Sequence, residues 1–109
     1  MLNIAIRHSK KDNESFLNWA RLDSFAFVLH FRQEKTPEKL RETSVWTREL
    51  IDHALKLDGT YYLPYQVVAS YDQFKIGYPR AESFFEVKKR YDPEYRFQNE
   101  LWKRYYYQK

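Results

Sequence analysis

An α+β fold, with an antiparallel sheet and helices packed on one of its faces, is what this sequence predicts, and three observations carry that prediction. Two segments near the N-terminus alternate side chains with the period of a strand. One long segment in the middle repeats its apolar residues with the period of a helix and has a start signal and a stop signal. The C-terminal stretch divides into short helical segments separated by breakers. Strands first and helices afterwards, without regular alternation, point to α+β architecture.

The first strand is expected over residues 2–8. Leu2, Ile4, Ile6 and His8 face one side, and Asn3, Ala5 and Arg7 the other. Lys10-Lys11-Asp12-Asn13 reads as a turn, and residues 14–22 as a short helix or an irregular excursion with Phe16, Leu17 and Trp19 packing inward. The second strand, residues 24–33, shows the clearest alternation. Phe25, Phe27, Leu29 and Phe31 share the face expected to meet the helices, and Ala26, Val28, His30 and Arg32 share the opposite one. Thr36-Pro37-Glu38 combines a capping hydroxyl, a proline at the first helical position and an acid in the first turn. The helix it opens should run to about residue 57 on a buried stripe of Leu40, Thr47, Leu50, Ile51, Ala54 and Leu57, with Gly59 ending it. Residues 61–68 read as extended, and Pro64 excludes a central strand position. Ser70 caps a short helix to residue 77, Pro79 opens another that ends at Asp92-Pro93, and a last helix covers residues 99–106.

Composition narrows the function classes. The chain has 109 residues, enough for one domain and too few for a nucleotide-binding domain beside a substrate domain. It has no cysteine, which excludes thiol catalysis, disulfides and cysteine-ligated metals, and no other metal site is expected. Only two glycines occur, so no Gly-rich phosphate loop is present. Aromatic residues make up 19%, a density that suits a core or interface built from rings. The net charge of +4 is spread among interspersed acids and bases, so it does not demand an anionic partner. No apolar run approaches the length of a membrane span, and the first ten residues lack the pattern of a signal peptide, so a cytoplasmic location is expected.

Five stretches then acquire meaning together: Asn3-Ile4-Ala5-Ile6-Arg7, Phe27-Val28-Leu29-His30-Phe31, Tyr61-Tyr62-Leu63-Pro64-Tyr65, Tyr78-Pro79-Arg80, and Tyr91-Asp92-Pro93 with Phe97-Gln98-Asn99 beyond it. In this order and spacing they resemble the C-terminal end of FAD-linked oxidases of the vanillyl-alcohol-oxidase type, near the aldonolactone oxidases and decaprenylphosphoryl-ribose oxidases. The resemblance runs from Leu2 to about Tyr106. It implies part of a cap domain that roofs the flavin, with FAD held by an upstream domain on the same or a separate chain. It also implies a small-molecule hydroxyl substrate, an isolated chain that holds no FAD and is inactive, and self-association of that isolated chain. Two departures are visible. Lactone oxidases carry Glu-x-Arg where this chain has Ala5-Ile6-Arg7. Both relatives place a lysine where this chain has Tyr65. The substrate is therefore expected to differ from theirs.

The candidate site comes from alternation and resemblance together. Arg7 would stabilise charge developing on the substrate oxygen. His30 would accept or relay the hydroxyl proton, since imidazole titrates near neutral pH. Tyr65 would orient the substrate by hydrogen bonding. Arg32, Tyr62 and Gln66 are secondary substrate contacts. Each has a plainer reading beside it: an exposed strand cation for the arginines, a solvated polar face for His30, and aromatic packing for the tyrosines. A different class of function is a basic-aromatic module for single-stranded nucleic acid, supported by Lys88-Lys89-Arg90, Lys103-Arg104 and the tyrosine-rich tail. No RNA-binding motif accompanies it, so a nucleic-acid partner is not expected. A third alternative is a truncated domain that folds but is not catalytic.

Overall fold

Local signals set most of the element boundaries in the computed structural model, which describes residues 2–108. Strands β1 (Asn3–Ser9) and β2 (Ser24–His30) form an antiparallel two-stranded sheet. Helices α1 (Pro37–Lys56), α2 (Tyr71–Gly77), α3 (Ala81–Tyr91) and α4 (Glu100–Tyr105) come next, and the chain closes in a 3-10 turn, Tyr106–Gln108. The class is thus α+β.

The caps expected at Thr36 and Ser70 form, and Asn99 adds a third. The Thr36 hydroxyl accepts from Lys39 N with Pro37 at the start of α1. Ser70 and Gln73 form a reciprocal capping box on α2. Asn99 Oδ1 accepts from Trp102 N at the start of α4. Asp92-Pro93 ends α3, and the Asp92 carboxylate then organises the connection to α4. It pairs with Lys88 and accepts from the backbone N–H groups of Arg96 and Phe97. These partners, Lys88 foremost, hold the Asp92 carboxyl down at about 2. A depressed carboxyl contributes stability above its unfolded pKa and loses it as pH falls. Asp92→Asn should therefore melt below the parent at neutral pH. The gap should close as pH drops from about 4 to about 2. A gap that stays constant over that window would show that the charge of Asp92 is immaterial.

The core lies in the C-terminal half. Ile51, Leu63, Phe74, Tyr78, Phe85, Trp102 and Tyr105 form one buried cluster, fed by α1, α2, α3, α4 and the segment before α2. No residue of β1 or β2 belongs to it. The radius of gyration is 15.1 Å, against about 13 Å for a compact chain of this length. A hairpin whose strands add span without adding core accounts for the excess.

Several expectations are corrected. Phe25 and Phe27 are exposed, although alternation assigned them to the helix-facing side. Only the far end of that face meets a helix, where the Phe31 ring stands edge-on to Trp46 of α1, with centroids 4.9 Å apart. The strand stops at His30, so residues 31–33 leave the sheet. Along α1, Ile51 and Thr43 are buried while Leu40, Leu50 and the C-cap Leu57 are exposed, because the core covers only one side of this helix and the end of β2 reaches it only around Trp46. Residues 63–65 form a turn around Pro64, so the segment is not extended throughout. At the end of α1 the left-handed residue is Asp58, at φ 58°, and not Gly59. The two glycines serve packing. A Cβ on Gly77 would come within 2.7 Å of Thr60 Oγ1, and one on Gly59 would lie 3.0 Å from Ala54 O.

Candidate functional site

Antiparallel register decides which hairpin residues can act together. Arg7 stands opposite Ala26, and His30 opposite Asn3. Both therefore project from one face, as alternation implies, along with the small residues Ala5, Ala26 and Val28. They lie at opposite ends of that face, four residues apart along β1, or roughly 13 Å at the strand rise. Both are exposed, and neither side chain has a hydrogen-bond or ion-pair partner among the described residues.

Arg32 does not join them. It lies beyond the end of β2 and lines a groove of about 400 Å³ between the strand end and α1, with Leu29, Phe31, Trp46 and Leu50 as its apolar floor. Lys39 stands at the same groove and is paired with Glu42 at 2.9 Å. The cause is the early end of the strand: once the chain leaves the sheet, alternation no longer governs which way a side chain points.

Tyr62 and Tyr65 come together at the Pro64 turn. Their rings are 4.8 Å apart and nearly perpendicular, and Trp19 continues the set at 6.0 Å from Tyr62. Beneath them is a cleft of about 220 Å³ lined by Leu17, Trp19, Tyr62, Pro64 and Tyr78. Gln66 is exposed just beyond the turn. No hydrogen bond or ring contact links Tyr62 or Tyr65 to Arg7 or His30 among the described residues.

The turn is held from below. The Tyr78 hydroxyl donates to Tyr61 O, Thr60 Oγ1 donates to Gly77 O at 3.2 Å, and Leu63 is buried in the core. Arg21 braces the approach to it, with Nη2 donating to Asp58 O at 3.2 Å and Gly59 O at 3.0 Å. Burial pushes the Tyr61 and Tyr78 phenols well above the ordinary tyrosine range. Neither can serve as a base near neutral pH. The supporting roles of Arg21, Thr60 and Tyr78 were not read from the sequence. Their partners are 17 to 38 residues away along the chain, and no local pattern marks them.

The basic run at the end of α3 does not make a continuous positive track. Lys88 turns inward to Asp92 and sits 5.5 Å from the centre of the Trp102 ring. Lys103 pairs with Glu100 at 3.3 Å. The rings of Trp102 and Tyr105 are buried and cannot stack on bases. Among the described residues no group of three His, Asp or Glu side chains could hold a metal ion. Among the described residues no helix is long and apolar enough to cross a membrane.

No Gly-rich cradle for a dinucleotide phosphate is present: both glycines are committed to packing, and neither opens a helix. The exposed face with Arg7 and His30 offers a cation and an imidazole whose side chains have no competing partner among the described residues. No protein-family model matches this chain, and no curated protein or solved structure does so.

Proposed function

We propose that this chain is the substrate-covering part of an FAD-dependent oxidoreductase of the vanillyl-alcohol-oxidase type, acting on a hydroxyl of an alcohol, sugar or lactone. The reading starts from the five stretches that resemble such enzymes. The observation that supports it most is that the hairpin presents Arg7 and His30 on one exposed face without internal partners. A cation and an imidazole left unpaired on a small-residue surface suit a second body bearing the reacting atoms.

In this reading FAD is held by a separate, upstream portion and supplies the acceptor for a hydride. Arg7 stabilises charge on the substrate oxygen, and His30 takes the hydroxyl proton. The separation of the two along the face means that they approach a substrate from opposite ends. Tyr65 orients the substrate from the Pro64 turn, and its phenol adds no positive charge where relatives carry lysine. Tyr62 and Gln66 flank it, and Arg32 contacts the substrate only if the body of that molecule reaches the α1 groove. The compartment is the cytoplasm, in keeping with a chain that has no cysteine.

The test begins with the chain alone, which should purify colourless, without the absorbance at about 450 nm of a bound flavin. Co-expressed with the portion encoded immediately upstream, it should co-elute as a yellow complex. Stoichiometric FAD on the isolated chain, or an upstream portion that neither binds flavin nor this chain, would overturn the proposal.

A further inference from the structure

The hairpin has a second face, and it is unlike the first. Register places Ile4 beside Leu29, Ile6 beside Phe27 and His8 beside Phe25 on one side of the sheet, and alternation adds Leu2. Five of these side chains remain open to solvent: Leu2 at 75%, Ile4 at 48%, Ile6 at 61%, Phe25 at 67% and Phe27 at 63%. No carboxylate, lysine or arginine interrupts this face within the paired strands. The α1 helix reaches only the far end of this face, at Leu29 and Phe31.

Area decides what could cover it. At roughly 200 Å² for each whole residue, those exposures amount to roughly 600 Å² of surface per copy. That is at the upper limit of the apolar patches that soluble monomers expose, about 300–600 Å². Doubled across a symmetric contact it becomes about 1,200 Å², which reaches the lower bound for specific interfaces. A two-stranded sheet is also marginal in water by itself and gains from being packed against another layer.

We propose that this apolar face is a homodimer interface, in which the hairpins of two copies pack face to face about a two-fold axis near Ile6 and Phe27. Such a contact is isologous, so one patch serves both copies. Aligned sheets pack about 10 Å apart with interdigitating side chains, and a face uninterrupted by carboxylates, lysines or arginines suits that geometry. The opposite face, with Arg7 and His30, stays outward. The two faces thus have different partners, and this interface does not depend on the flavoenzyme reading.

Analytical ultracentrifugation of the isolated chain at about 100 µM, well above the range in which low-micromolar contacts form, should report a dimer. Ile6→Lys with Phe27→Lys should weaken association about a hundredfold or more, since it sets like charges at the centre of the contact. The circular dichroism should not change, because both side chains are solvent-exposed in the single chain. The chain has no native cysteine, which permits a second measurement. Ile6→Cys should cross-link rapidly to a second copy under oxidation, and Arg7→Cys, on the opposite face, should not. A parent that sediments as a monomer overturns the proposal and leaves this face to another portion of a larger protein. A lysine double variant that still dimerises, or an Arg7→Cys that cross-links as fast as Ile6→Cys, overturns it equally.

Discussion

Phe74→Ala should cost about 3–5 kcal/mol of stability, the usual range for emptying a buried aromatic site. Phe74 is fully buried at the centre of the ring cluster. It stacks on Tyr105 with centroids 4.1 Å apart and touches Tyr78 at 5.8 Å and Phe85 at 6.2 Å. It therefore connects α2 to α3 and α4 at once, and no neighbouring side chain can fill the space without breaking one of those contacts. The effect is large because almost all the buried hydrophobic residues among those described gather in this one cluster, and the two strands add nothing to it. Domains of this size are stable by about 5–15 kcal/mol, so the variant would lose a large part of the total. Thermal unfolding monitored by circular dichroism should show Tm lowered by roughly 15–25 °C. Leu57→Ala should change stability by less than about 0.5 kcal/mol, since Leu57 is exposed at the end of α1. If Phe74→Ala melts within about 5 °C of the parent, the ring cluster is not what holds the helices together.

The second large effect tests the chemistry proposed for the polar face of the hairpin. In the proposed complex with a flavin-binding portion, His30→Ala and Arg7→Ala should each slow flavin reduction in single turnover by about a hundredfold, the usual scale for losing an acid–base or oxyanion-stabilising group. Tyr65→Phe should act mainly on substrate affinity, because it removes one hydrogen bond and leaves the ring. Folding is not in question for any of these, since all three side chains are exposed. Parent-like reduction rates in both His30→Ala and Arg7→Ala would make the polar face a solvated surface, whatever family the chain belongs to.

Much of the candidate site was legible in the linear pattern, and its failures have identifiable causes. Alternation correctly grouped Arg7 with His30, because a strand offers only two directions and the pairing of Arg7 with Ala26 and His30 with Asn3 preserves them. The same rule misassigned Arg32, because the strand ends two residues earlier. Pro64 was read as incompatible with a central strand, which is right, but the turn it makes at residues 63–65 brings Tyr62 and Tyr65 into ring contact, and that depends on Leu63 being drawn into the core.

What the sequence determined by itself is whatever depends on neighbours within a few residues. Thr36 and Ser70 cap their helices because each cap bond spans three residues. Asp92-Pro93 stops α3 for an equally local reason, the clash of the proline ring with a helical predecessor. Tertiary structure alone decided which apolar surfaces are covered. Phe25 and Phe27 have the periodicity of core residues and stand in solvent, while Phe74 and Phe85, in short helices of no greater regularity, are fully buried. Period tells which side chains share a face. Whether anything packs on that face depends on the paths of segments tens of residues away, and here those paths gather the four helices around Phe74 and leave the hairpin with both its faces open.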